Sequence, residues 1–103
     1  MSITMVIEFK GKKGKGDEIV KWFHKNYGRM TAGDGLIQQR LYQNSKNPDT
    51  ILSIEEWVSE KVQEVLVQKS IDEGWWSEIY PSLLTEAIPA DGVYHHFISK
   101  HRF

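Results

Sequence analysis

The sequence predicts a single α+β domain with the element order β-α-β-β-α-β. Three observations carry that prediction. Residues Ile3 to Phe9 alternate with the period of a strand, a helical repeat opens at Asp17, and two more strand-like stretches flank the turn-rich run NSKNPD, Asn44 to Asp49. With 103 residues the chain has room for one core and not for two.

Each element has its own signal. In the first strand Ile3, Met5, Ile7 and Phe9 share one side, while Thr4, Val6 and Glu8 share the other. Lys10 to Gly16 is too rich in glycine for a regular element and reads as a solvated loop. It does not complete a phosphate-binding motif, because Gly16 is followed by Asp17 rather than by Lys and Ser or Thr. From Asp17, a plausible helix opener, Ile19, Phe23, Tyr27 and Met30 recur at helical spacing until Gly33 and Gly35. Leu36 to Gln43 is a second, partly alternating strand. Thr50 to Val58 is a third, and the short connection between them implies an antiparallel hairpin.

A second helix is expected over Glu60 to Ile71, with Val62, Val65, Leu66 and Lys69 on its stripe and a break near Gly74. Trp76, Ile79, Tyr80 and Leu83 continue helical spacing, but Pro81 must interrupt it, since proline cannot donate the backbone hydrogen bond. Gly92 to Arg102 alternates again as a last strand. The order is that of a ferredoxin-like fold, a four-stranded antiparallel sheet with both helices on one face.

Composition narrows the functions open to such a domain. A net charge of −1 lacks the basic excess that binding a phosphate backbone requires, so nucleic acid is not an expected partner. No apolar run approaches the roughly 20 residues that span a bilayer, and the first residues do not resemble a signal peptide, so no membrane association is expected. The absence of cysteine excludes disulfides, thiol nucleophiles and iron–sulfur ligation, and fits a cytoplasmic protein.

Three stretches together resemble the antibiotic biosynthesis monooxygenase family: RLYQNSKNPD (Arg40 to Asp49), ILSIEEW (Ile51 to Trp57) and WWSEIYPSLL (Trp75 to Leu84). The resemblance implies a homodimer, a dimeric α/β barrel whose two sheets pack face to face, with a substrate pocket between each sheet and its helices. The residues agree with a covered sheet face, because Val6, Leu52, Ile54, Val58 and Ile98 supply apolar side chains that a lone sheet would leave wet. The activity implied is cofactor-independent oxygenation of a small electron-rich aromatic, a quinol or polyphenol. A non-oxygenating isomerase or binding protein for a small metabolite, and a dimeric structural or regulatory module, remain open on the residues alone.

The family's pocket points to Trp57, as wall and hydrogen-bond donor, and to Ser53, at a position where some oxygenating members carry asparagine. The heme-degrading branch places an asparagine on its first strand and a heme-ligating histidine on its second helical region; this chain has Met5 to Glu8 and Gly74 to Ser77 there, so no heme is expected. The histidines are too scattered for a shared metal, and no cofactor of any kind is expected. His24, at the edge of the first helix's stripe, is the candidate general base, with His95 on the last strand as a pocket residue and His95 or His96 as the alternative base. Trp76 and Tyr80 are candidate pocket walls, and adjacency argues that Trp75 and Trp76 cannot both face inward. Each of these side chains has a plainer reading as core packing or, for His24, as an ordinary helix-surface residue.

Overall fold

The computed structural model describes residues 2–31, 33, 35–86, 94–98 and 100, with the backbone alone for 94–96. The strands are β1 (Ile3–Lys10), β2 (Leu36–Gln43), β3 (Thr50–Trp57) and β4 (Tyr94–Phe97); the helices are α1 (Gly16–Thr31) and α2 (Glu60–Asp72), followed by a short 3₁₀ turn, Trp75–Glu78. The sheet order is β2-β3-β1-β4 and every neighbouring pair is antiparallel, as the ferredoxin-like order requires. Of the expected last strand, Tyr94–Phe97 pairs with β1; Ile98 and Lys100 are not in the strand, and the remainder lies outside the described residues.

The β1–β3 register sets Ile3, Met5, Ile7 and Phe9 opposite Trp57, Glu55, Ser53 and Ile51, and all eight side chains are buried on the helix side of the sheet. Strand β2 alternates imperfectly for a specific reason. A bulge between Leu36 and Gln38 gives β2 an extra residue, so that Leu36 and then Gln39 fall on the inner face, opposite Trp57 and Glu55. On α1 the stripe holds at Ile19, Phe23 and Met30, whereas Tyr27 is 48% exposed.

The loop before α1 is pinned rather than merely solvated. The Asp49 carboxylate accepts the Gly14 and Gly16 backbone N–H groups at 2.9 Å each, and these bonds hold its pKa below the ordinary carboxylate value. Gly11 N–H donates to the Asp49 carbonyl at 2.8 Å and Lys12 N–H to Leu83 at 2.7 Å, tying the loop to both hairpin and C-terminal segment. A Cβ on Gly16 would run into the Pro48 carbonyl, where backbone and not a flexible side chain stands in the way. Gly16→Ala is therefore expected to destabilise the protein by about 1–3 kcal/mol, read as a lower urea midpoint.

Helix α2 presents a different face from the one expected. Ser59 caps it, accepting Val62 N–H at 3.2 Å, and Gln63 and Ser70 are buried with Leu66 and Val67 half-buried beside them. Val62 and Val65 point outward, at 37% and 62% exposure, and Lys69 is exposed. The inward side includes polar residues with partners: Ser70 Oγ donates to the Val67 carbonyl at 2.6 Å and accepts Trp76 Nε1–H at 2.9 Å. A stripe read from apolar residues alone is consequently rotated by about one position, roughly 100°. After Gly74, whose φ of 71° suits glycine, the chain makes only the 3₁₀ turn and no α-helix resumes before Leu84, although Ile79 and Leu84 are fully buried.

Candidate active site

Between the sheet and the helices lies a small, partly open cavity of about 30 Å³, room for a water molecule or two. Met5 and Ile7 form its floor, Glu55 and Trp57 one side, and Leu66, Val67 and Ser70 of α2 another. Trp22, Phe23, Trp75 and Trp76 supply aromatic walls. Phe9 stacks on Trp76 with centroids 5.9 Å apart, Trp76 meets Trp22 at 5.7 Å, and Phe23 stands edge-on to Phe9 at 5.0 Å and to Trp22 at 5.1 Å.

Both adjacent indoles line the cavity, contrary to the expectation that one must turn away. They sit in a 3₁₀ turn rather than in an α-helix, and two large rings can straddle the same space from neighbouring backbone positions. A clasp on the outer side holds the turn against α1. Arg29 pairs with Glu78 at 3.0 Å and lies over the Trp75 ring at 5.5 Å, and Trp22 Nε1–H donates to Glu78 at 3.1 Å. The hydrogen bond from Arg29 is the main reason the Glu78 carboxyl titrates below its ordinary value.

The one ionisable group among the described residues of the cavity wall is Glu55, which is 5% exposed. Its Oε2 accepts Ser53 O–H at 2.7 Å and Gln39 Nε2–H at 3.1 Å, and its Oε1 accepts Trp57 Nε1–H at 2.9 Å. Gln39 Nε2 also donates to Ser53 Oγ at 3.1 Å, closing a four-residue network. Burial raises the Glu55 pKa above the ordinary carboxylate value, and the hydrogen bonds from Ser53, Trp57 and Gln39 only partly offset that rise.

The structure therefore brings Trp57 and Trp76 into one cavity and puts Ser53 directly behind it, through Glu55. It does not bring His24 there. His24 is exposed and borders an open groove of about 420 Å³ between α1 and β2, with Tyr27, Gln39, Leu41 and Tyr42. Phe23 lines both spaces and so stands between them, and Gln39 borders this groove while its amide reaches Ser53 and Glu55. Tyr80 is half-exposed and is not part of the cavity wall. His95 pairs with Val6 across β1 and β4, and its side chain lies outside the described residues.

Sequence reasoning missed Glu55, Trp22 and Gln39. The signal for Glu55 was present in the strand's period, which places it on the face of Ser53 and Trp57. Among the described residues no group of three or more His, Asp or Glu is arranged to hold a metal ion, and no helix is long and apolar enough to cross a membrane.

Residues 2–65 match the family model described as antibiotic biosynthesis monooxygenase, and the chain belongs to that family. Its fold is shared with solved structures of low sequence identity. A candidate antibiotic biosynthesis monooxygenase from Bordetella bronchiseptica is similar at TM-score 0.79 and 14% identity, over 97% of this chain and 98% of that one. SnoaB, described as a cofactor-independent oxygenase from Streptomyces nogalater, is similar at TM-score 0.75 and 13% identity, over 98% and 95%. A conserved protein from Methanosarcina mazei reaches 22% identity at TM-score 0.66, over 97% and 94%. No curated protein matches the chain.

Proposed function

We propose that the protein is a cofactor-independent monooxygenase acting on a small electron-rich aromatic, a quinol or polyphenol. The observation that carries this reading is the cavity between sheet and helices, walled by Trp22, Phe23, Trp57, Trp75 and Trp76 and bordered by the carboxyl group of Glu55. Family membership supports it, and so does the likeness to a protein described as a cofactor-independent oxygenase. Flat aromatic walls suit a flat ring, and a mostly apolar lining limits the contact of an oxidisable anion with water.

The chemistry needs no external electrons. The phenol loses its O–H proton, and the anion passes one electron to dioxygen. The two radicals then join as a peroxide at a ring carbon that bears hydrogen. The peroxide takes up a proton; the ring carbon loses its own as the O–O bond breaks, releasing water and leaving a quinone. One oxygen atom ends in the product and one in water, and the substrate supplies all four electrons. The indole N–H of Trp57 is committed to Glu55 Oε1, so Trp57 meets the bound ring as a flat wall. No step is assigned to His24, which borders the open groove.

A ring is larger than the cavity in its closed form, so a wall must move for substrate to enter. The half-buried walls Trp22, Trp76, Leu66 and Val67 stand between the cavity and solvent, and the Arg29–Glu78 pair and the Trp76–Ser70 hydrogen bond tie the Trp75–Glu78 turn to α1 and α2. We also assign the protein a homodimeric state through the sheet face opposite the helices. There Val6, Leu52 and Ile54 are half-buried and Tyr42 is exposed in the isolated chain. Sedimentation should give twice the 12.0 kDa chain mass, and a clean monomer would remove this part of the proposal. The activity itself is tested with an oxygen electrode and a panel of hydroquinones and polyhydroxybenzenes. The reading expects protein-dependent oxygen uptake with at least one of them, and uptake at the protein-free rate across the panel would refute it.

A further inference from the structure

We propose that Glu55 is the group that takes and returns protons in this cavity, acting first on the hydroxyl and then on a ring C–H of a bound electron-rich phenol. The proposal rests on the reading of the cavity as the substrate site and names the residue that does its proton chemistry.

The geometry supports a carboxylate kept for use rather than for structure. A carboxylate offers about four lone-pair directions. Among the described residues two donors occupy Oε2 and one occupies Oε1, which leaves one direction on Oε1 for a ligand's proton, in a side chain that borders the cavity. All three donors are held by the sheet. Ser53 and Trp57 lie two residues to either side of Glu55 on the same strand face, and Gln39 is its register partner on β2. Rotation of the carboxyl away from the cavity would break all three bonds.

Energetics point the same way. Glu55 takes part in none of the ion pairs formed by the described residues, and among those residues its burial is offset by neutral hydrogen-bond donors rather than by a cation. An apolar side chain among Met5, Trp57 and Leu66 would avoid the desolvation of a charge, and a buried carboxyl with fixed donors at a cavity is the kind of group that chemistry explains. Ser53, Gln39 and Trp57 are then positioning residues with respect to Glu55.

This assignment predicts a reaction that needs no oxygen. In heavy water the Glu55 carboxylate takes the phenol's O–H proton and re-equilibrates with solvent as the deuterated acid. It delivers that deuteron to a ring carbon, forming the dienone, and the carboxylate left behind removes the hydrogen on the same carbon. The ring regains aromaticity with deuterium in place of hydrogen and no net electron transfer.

The experiment uses phloroglucinol in oxygen-free heavy water near neutral pH, with loss of its ring-proton signal followed by NMR. Wild-type protein is expected to accelerate exchange on the order of 100-fold over protein-free solution, in line with a positioned acid–base group. Glu55→Gln, which keeps size and most hydrogen bonds, should return exchange to the protein-free rate. Ser53→Ala, which removes one positioning donor, should lower the rate while leaving the fold intact by circular dichroism. Should Glu55→Gln fail to fold, the Ser53→Ala and Gln39→Leu rates decide, because a carboxylate with no role would leave both equal to wild type. Wild-type exchange no faster than solvent, or equal exchange in folded Glu55→Gln, would overturn the assignment. The same compound in air separates the two readings: exchange without oxygen uptake keeps Glu55 as the proton carrier and counts against the monooxygenase.

Discussion

Trp57→Ala is expected to lower stability by about 3–5 kcal/mol, measured by urea unfolding at neutral pH. Trp57 is 3% exposed, ends β3 opposite Ile3 of β1 and Leu36 of β2, and forms one wall of the cavity. Truncation removes a whole indole from a packed site whose neighbours belong to the sheet and to α2, so the space cannot close by moving one loop. It also takes away the hydrogen bond to Glu55 Oε1, leaving that oxygen with no donor among the described residues. Trp57→Phe separates the two effects. It keeps most of the packing and loses only the N–H, and about 1–2 kcal/mol is expected for it. Equal losses for the two variants would mean that the hydrogen bond, not the ring, holds this end of the strand.

Glu55 should dominate a second effect, on the pH dependence of stability. Burial raises its pKa in the folded protein above the 4.5 of an ordinary glutamate, so between those two values the folded state holds a proton that the unfolded state has released. Its contribution to stability is therefore fully present below pH 4.5 and is lost as pH rises through the folded pKa. Each pKa unit of displacement corresponds to about 1.4 kcal/mol by neutral pH. Glu55→Gln has no such titration. The difference in melting temperature, variant minus wild type, should thus grow as pH is raised from about 4 to 8. A flat or declining difference would mean that the three hydrogen bonds outweigh desolvation.

The two effects explain what could be read in advance and what could not. β1 was legible because its period and burial agree residue for residue. α1 was nearly so, with Tyr27 as the exception. α2 was misread by one position because Gln63 and Ser70, not Val62 and Val65, face inward, and apolar character is a poor guide where buried polar groups have partners. Glu55 was passed over for a related reason. A charged residue in a strand is ordinarily taken to face water, and among the described residues it is the donors from Ser53, Trp57 and Gln39 that offset its burial. Two of those donors are its near neighbours in sequence. The third depends on a bulge in β2, which no local pattern announces. His24 and Trp57 could be named separately as candidates, but their assignment to different spaces depends on Phe23, which lines both the groove and the cavity.

The most direct test of the central claim follows the oxygen atoms. The protein is incubated with oxygen-18 gas and a polyphenol from the panel that drives oxygen uptake, and the product is extracted at once and weighed by mass spectrometry. A monooxygenase that draws all its electrons from substrate should place one labelled atom in each quinone formed, with one dioxygen consumed per product and no added cofactor. A product without label, or dioxygen recovered as hydrogen peroxide in equal amount, would show that the cavity does not carry out oxygenation.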